Sequence, residues 1–115
     1  MEDTILIFLE LINNIKIYHW KTRNYAEHVA TDGLHAKLSA NMDKFAEVFL
    51  GMSGDRFSIN SKLTVADKSK KGLCDKVRDF IKYMEGLKIT GDLSNIREDV
   101  IADCNQFLYL MTFDK

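Results

Sequence analysis

The chain has 115 residues, a formal net charge of −1, 46% hydrophobic and 29% charged residues, and no proline. That length suits one domain with its own core, the balanced charge excludes a strong nucleic-acid footprint, and the composition is not that of a disordered chain. Without proline, helix interiors lose their commonest interruption.

The run from Ile5 to Ile12 is very apolar, but it is short, broken by Glu10 and preceded by Glu2 and Asp3. A signal peptide starts basic and a spanning helix needs about 20 apolar residues, so the segment reads as a buried helix. We therefore expect a soluble protein that does not engage membranes. Cys74 and Cys104 have no C-x-x-C spacing and read as reduced core thiols in a cytoplasmic setting.

The periodicity predicts an all-α domain, an antiparallel bundle of four helices. The first runs over 4–23 with Asp3 as N-cap, and Phe8, Ile12, Ile15 and His19 form one stripe. Leu6, Ile17 and Trp20 lie off that stripe, as expected of a helix that buries more than one face. The second runs over 24–51, opening on a capping-box spacing between Asn24 and Glu27 and closing at Gly51. Gly33 inside it leaves a break near Thr31 to Gly33 as the alternative. Residues 52–69 read as an ordered loop with room for a short strand or helical turn. Helices over 70–87 and 94–113 follow, with stripes through Leu73, Val77, Phe80 and Met84, and through Ile96, Val100, Cys104 and Phe107.

Chemistry concentrates in the first half, where all three histidines lie. On a wheel at about 100° per residue, Leu34, Leu38, Met42, Phe45 and Phe49 share the core sector of the second helix. His28, Asp32, Asp43 and Glu47 share another, interleaved with Ala36, Ser39, Ala40 and Ala46. His35 lies at its edge and reads as a bystander. The pair His28 and Asp32 stands about 15 residues from the pair Asp43 and Glu47, roughly 22 Å along a helix. One chain cannot bring both pairs to one ion. Two chains can, if their second helices pack antiparallel about a two-fold axis near Lys37 and Leu38, with His19 joining the first pair. Imidazoles with carboxylates suit iron, with manganese and zinc as alternatives.

The run His19-Trp20, then His28-x-x-x-Asp32, then Asp43-x-x-Ala46-Glu47, resembles the ferroxidase signature of the Dps family of DNA-protecting, ferritin-like mini-cages. The resemblance covers residues 17–51. It implies a ferritin-like four-helix bundle and metal ligands His19, His28, Asp32, Asp43 and Glu47, shared across a homodimer interface with Trp20 nearby. It also implies a mono-iron or di-iron centre that oxidises Fe²⁺, usually with hydrogen peroxide. No Glu-x-x-His motif occurs, so the ordinary ferritin di-iron site is not available. The expected partners are metal ions and further copies of the chain, with no nucleic acid. A second function class is a bundle that binds no metal and serves as a protein-interaction or structural module.

Overall fold

The computed structural model describes residues 1–114. Among them are four helices and no strand: α1 (Glu2–Lys21), α2 (Tyr25–Ser53), α3 (Lys70–Glu85) and α4 (Gly91–Leu110). None is long and apolar enough to cross a membrane. The neighbour pairs are α1 with α2, α2 with α4, α4 with α3, and α3 with α1, which closes a four-helix ring. Every neighbouring pair is antiparallel. Lys37 bonds Gln106 while Asn41 bonds Asp103, and Thr4 bonds Tyr83 at the opposite end of the α1–α3 pair from Tyr18 and Cys74. Diagonal α2 and α3 therefore run the same way, and the segment between them must travel back along the whole bundle. It does so as an irregular strap, with neither strand nor helical turn, pegged to α1 where Glu10 and Asn14 side chains accept from the Thr64 and Ala66 amides.

The core follows the stripes. Phe8 sits at its centre, with its ring 5.8 Å from Phe45 and 5.0 Å, edge on, from Phe80. Leu38, Leu73, Val77 and Val100 are fully buried around it. Cys74 and Cys104 are free, buried thiols; burial pushes Cys104 up to about 12, so it stays protonated and inert.

The ends depart from expectation in instructive ways. Helix α1 starts at Glu2 with Met1 as N-cap and no side-chain cap, so Asp3 sits in the first turn, where the macrodipole favours acid. Helix α2 runs unbroken through Gly33, because Ala30 and Leu34 on either side of it are anchored in the core. It passes Gly51 and stops at Gly54, whose left-handed φ of 76° lets its amide reach the Leu50 carbonyl. Helix α3 ends at Glu85 rather than Leu87, and α4 spans Gly91–Leu110 rather than 94–113.

The Asn24 side chain does accept from the Glu27 amide at 3.1 Å, but the Glu27 side chain does not close the box. It turns inward instead. Its buried carboxylate accepts from Tyr18 at 2.7 Å and Thr22 at 2.8 Å, and pairs with Lys70 at 3.0 Å. Burial alone would raise this carboxyl, but the bonds from Tyr18, Thr22 and Lys70, with the Lys70 charge, outweigh it and hold the group below its ordinary value. Burial and the same carboxylate push the Tyr18 phenol up to about 12. A carboxyl depressed in the folded state stabilises the fold above its unfolded value near 4.5, and that contribution is lost as pH falls through the lower folded value. Glu27→Gln should therefore cost about 1–3 kcal/mol at neutral pH and flatten the acid limb of the stability curve, as read by urea unfolding at a series of pH values. An unchanged acid limb would mean that the carboxylate does not carry it.

Candidate metal site at the corner of the first two helices

His19 lies in the last turn of α1 and His28 in the first turns of α2, so the three-residue link between the helices sets them face to face. Their rings stack at 3.8 Å between centroids with 20° between planes. The two side chains clasp each other's backbones. His19 Nδ1 lies 2.8 Å from the His28 carbonyl and 3.1 Å from Thr31 Oγ1. His28 Nδ1 lies 2.9 Å from the His19 carbonyl, one of the acceptors that the end of α1 leaves without a helical partner. The Thr31 hydroxyl is itself committed as a donor to the Glu27 carbonyl at 2.8 Å. A carbonyl only accepts, so both Nδ1 atoms carry the hydrogen. In the neutral ring the lone pair then belongs to Nε2. Neither Nε2 has a partner among the described residues; the Nε2 of buried His19 is not sealed off from water, and His28 is itself exposed.

The surroundings are aromatic and polar. The Tyr25 ring lies 6.4 Å from His28 and is largely exposed, and the exposed Trp20 carries Lys16 Nζ 5.7 Å above its ring. His35 is half-buried one turn beyond Asp32 and shares its field. Burial and then the Lys16 charge, joined by His19, push it below its ordinary value, against an opposing pull from Asp32. It is therefore neutral at pH 7. Its spacing of seven from His28 is two helical turns, a signal that the sequence carries.

The expected ligands divide into two groups. His19 is buried and His28 exposed, in contact with each other, with Asp32 exposed one turn along α2. Asp43 and Glu47 are exposed on the other half of α2, Asp43 about 16 Å of helix rise beyond Asp32. Accordingly, among the described residues no group of three or more His, Cys, Asp or Glu could hold a metal ion. What one chain assembles is two imidazoles. Stacked rings hold their lone pairs in nearly parallel planes, so an ion in the plane of one ring is out of plane for the other. The pair as it stands offers one coordination position per ring.

A family model covers residues 19–111 of the chain, that of a family of unknown function, DUF5856, and the chain belongs to it. The kinship with Dps cages suggested by the histidine and acid spacing is thereby corrected, since no Dps or ferritin-like family matches. That spacing comes from one helix pair, whereas the family match continues through the strap, α3 and α4. No curated protein and no solved structure matches the chain.

The clasp makes the two histidines unequal in their structural roles. His19→Ala removes a buried donor from Thr31 and the His28 carbonyl and should cost about 1–3 kcal/mol. His28→Ala acts at an exposed position and should cost less than about 1 kcal/mol. Chemical denaturation of the metal-free variants reads both, and equal costs would count against the asymmetric burial.

Proposed function

We propose that this member of DUF5856 is a metal-binding protein, with His19, His28 and Asp32 of one chain facing Asp43 and Glu47 of a second copy. The observation that carries this reading is the double clasp at the corner. Both Nδ1–H groups are tied to backbone carbonyls, which fixes the rings and leaves two Nε2 lone pairs at the surface. Metal-binding histidines are prepared in this way, by a hydrogen bond on the other ring nitrogen that sets tautomer and orientation. One position per ring suits two neighbouring ions, or one ion that leaves the second ring to a water.

Iron(II) is the ion we place first, because imidazole with carboxylate suits it, with manganese(II) and zinc(II) as competitors. Its oxidation to iron(III) by added hydrogen peroxide or dioxygen is the activity to assay. The chain's contribution would be two fixed nitrogen donors and three carboxylates whose charge favours the more highly charged ion. A bundle without metal, serving as an interaction module, is the competing account, and nothing at the histidine edges requires it.

Iron(II) under anaerobic conditions should raise the melting temperature of the wild type, since an ion at about 100 times its dissociation constant contributes about 2.7 kcal/mol per independent site. His28→Ala alone and Asp43→Asn with Glu47→Gln should each abolish the response. Because each site takes its histidines and its acid pair from different chains, mixing and re-annealing the two silent proteins should restore roughly a quarter of the wild-type sites. Calorimetric titration with iron(II) counts them. A wild type indifferent to iron, manganese and zinc would leave the interaction module as the account. A response that survives in both variants would place the metal elsewhere.

A further inference from the structure

Three features of α1 and α2 are left unused by the packing of a single chain. On α1, Leu6, Leu9, Asn13 and Ile17 are only half-buried and lead to Trp20, which is 70% exposed. Their spacing of three to four residues makes an outward stripe, and its apolar members are not among those packed on the core. On α2, exposed Ala36 and Ala40 form a narrow middle between the two groups of polar residues, with half-buried Ser39 beside them. At the corner end of this same face stand further large apolar side chains, Tyr25, 76% exposed, and Val29.

We propose that a second copy of the chain seats on this outward face, antiparallel, about a two-fold axis crossing α1 at the level of Asn13 and α2 at the level of Lys37. This deepens the metal reading, which needs a second copy, by adding the α1 stripe, Trp20 and the charges of α1 to the α2 stripe that reading already uses.

The first argument is the agreement of two centres. The α1 stripe from Leu6 to Trp20 has its midpoint at Asn13, and the α2 stripe from His28 to Glu47 has its midpoint between Lys37 and Leu38. One two-fold axis serves both helices only if these midpoints lie at one height. The heights follow from contacts, since His19 stacks on His28 near one end and Phe8 packs on Phe45 near the other. At equal rise per residue the histidine contact places Asn13 level with Leu34 and the phenylalanine contact places it level with Ala40, a bracket centred on Lys37.

The second argument is charge. The corner end of the face carries Lys16, Arg23 and the histidines, and the far end carries Glu2, Asp3, Asp43 and Glu47. Asp32 is the exception at the corner end, Lys21 there is already paired with Asp67, and Lys44 points off the stripe. An antiparallel partner lays each basic end on an acidic one, and a parallel partner would lay like on like. It also lays Trp20 toward Leu6 of the second copy, apolar on apolar.

The third is size. Helix α1 is about 30 Å long and each helix about 10 Å wide, so the two-helix face offers roughly 600 Å² in projection. A standard interface takes about 800 Å² of accessible surface per partner, which a side-chain-covered face of this projection supplies.

Sedimentation of the full chain in chelator is the test. The wild type should be a dimer without metal. Ala36→Arg, at the narrow middle, and Trp20→Glu, at an exposed position, should each be monomeric with unchanged helical circular dichroism. Glu2→Lys with Asp3→Lys makes both ends of the α1 part of the face basic, and Lys16→Glu with Arg23→Glu makes both ends of that part acidic. Each double variant should self-associate about tenfold more weakly or worse, and their mixture should form a heterodimer whose affinity falls with salt. A monomeric wild type in chelator, a dimer that survives Ala36→Arg and Trp20→Glu, or a mixture that stays monomeric would overturn the proposal. The two readings separate cleanly: a metal-free dimer that ignores iron defeats only the metal site, and a chain that dimerises only with metal defeats only this interface.

Discussion

The carboxylate of Glu27 is the interaction on which the top of the bundle depends. A buried charge without partners is too costly to persist, so the fold must bring donors to it. They come from three elements: Tyr18 in the last turns of α1, Thr22 in the link, and Lys70 at the first residue of α3. These bonds fix where α1 stops and how α2 leaves it. They also set where the strap must deliver the chain after its return along the bundle. The spacing that lets His19 and His28 stack follows from that fixed corner.

The strap explains much of α1. This helix meets α2 on one side and α3 on another, and on a third its Glu10, Asn14 and Lys21 side chains hold the returning segment. Asn14 is almost wholly buried for this purpose, a polar group accepted in the interior because it satisfies the Ala66 amide. The remaining face, through Leu9 and Trp20, is the one with no neighbour in the chain.

The helices were legible in the sequence because their stripes are regular: Leu73, Val77, Phe80 and Met84 predict the buried side of α3 and occupy it. Caps were legible only where a side chain decides them. Asn24 caps α2 as its spacing suggests, while the end of α2 depends on which of Gly51 and Gly54 can turn left-handed, a tertiary matter. The inward turn of Glu27 was not legible, since its three donors are scattered from residue 18 to residue 70 and nothing in their spacing announces a cluster. At the site, the nearness of His19 and His28 could be read from the short link between their helices, but not the reciprocal backbone clasp. The separation of Asp43 and Glu47 from the histidines was legible, being helix arithmetic. The family was not: a five-residue signature from one helix pair resembles Dps, while the match that spans most of the chain is DUF5856.

Several groups that the single chain leaves without a physical purpose share one side. Its hydrogen bonds need only the Nδ1 edges of the two imidazoles, yet both Nε2 edges face outward on fixed rings. Its solubility does not need two acids one turn apart, which repel weakly on an isolated helix. Its stability gains nothing from exposing Trp20 and Tyr25, each of which would lose unfavourable contact with water under a cover. Separate explanations exist for each, since exposed apolar residues occur singly on ordinary surfaces. They do not account for the shared face, nor for two helices whose stripe centres fall within about one turn of the same height. A single two-fold operation would bring nitrogen donors to carboxylates, bases to acids and apolar ends to apolar ends. The charge and apolar contacts would then stand or fall with the operation itself, whereas metal binding could fail alone and leave it in place.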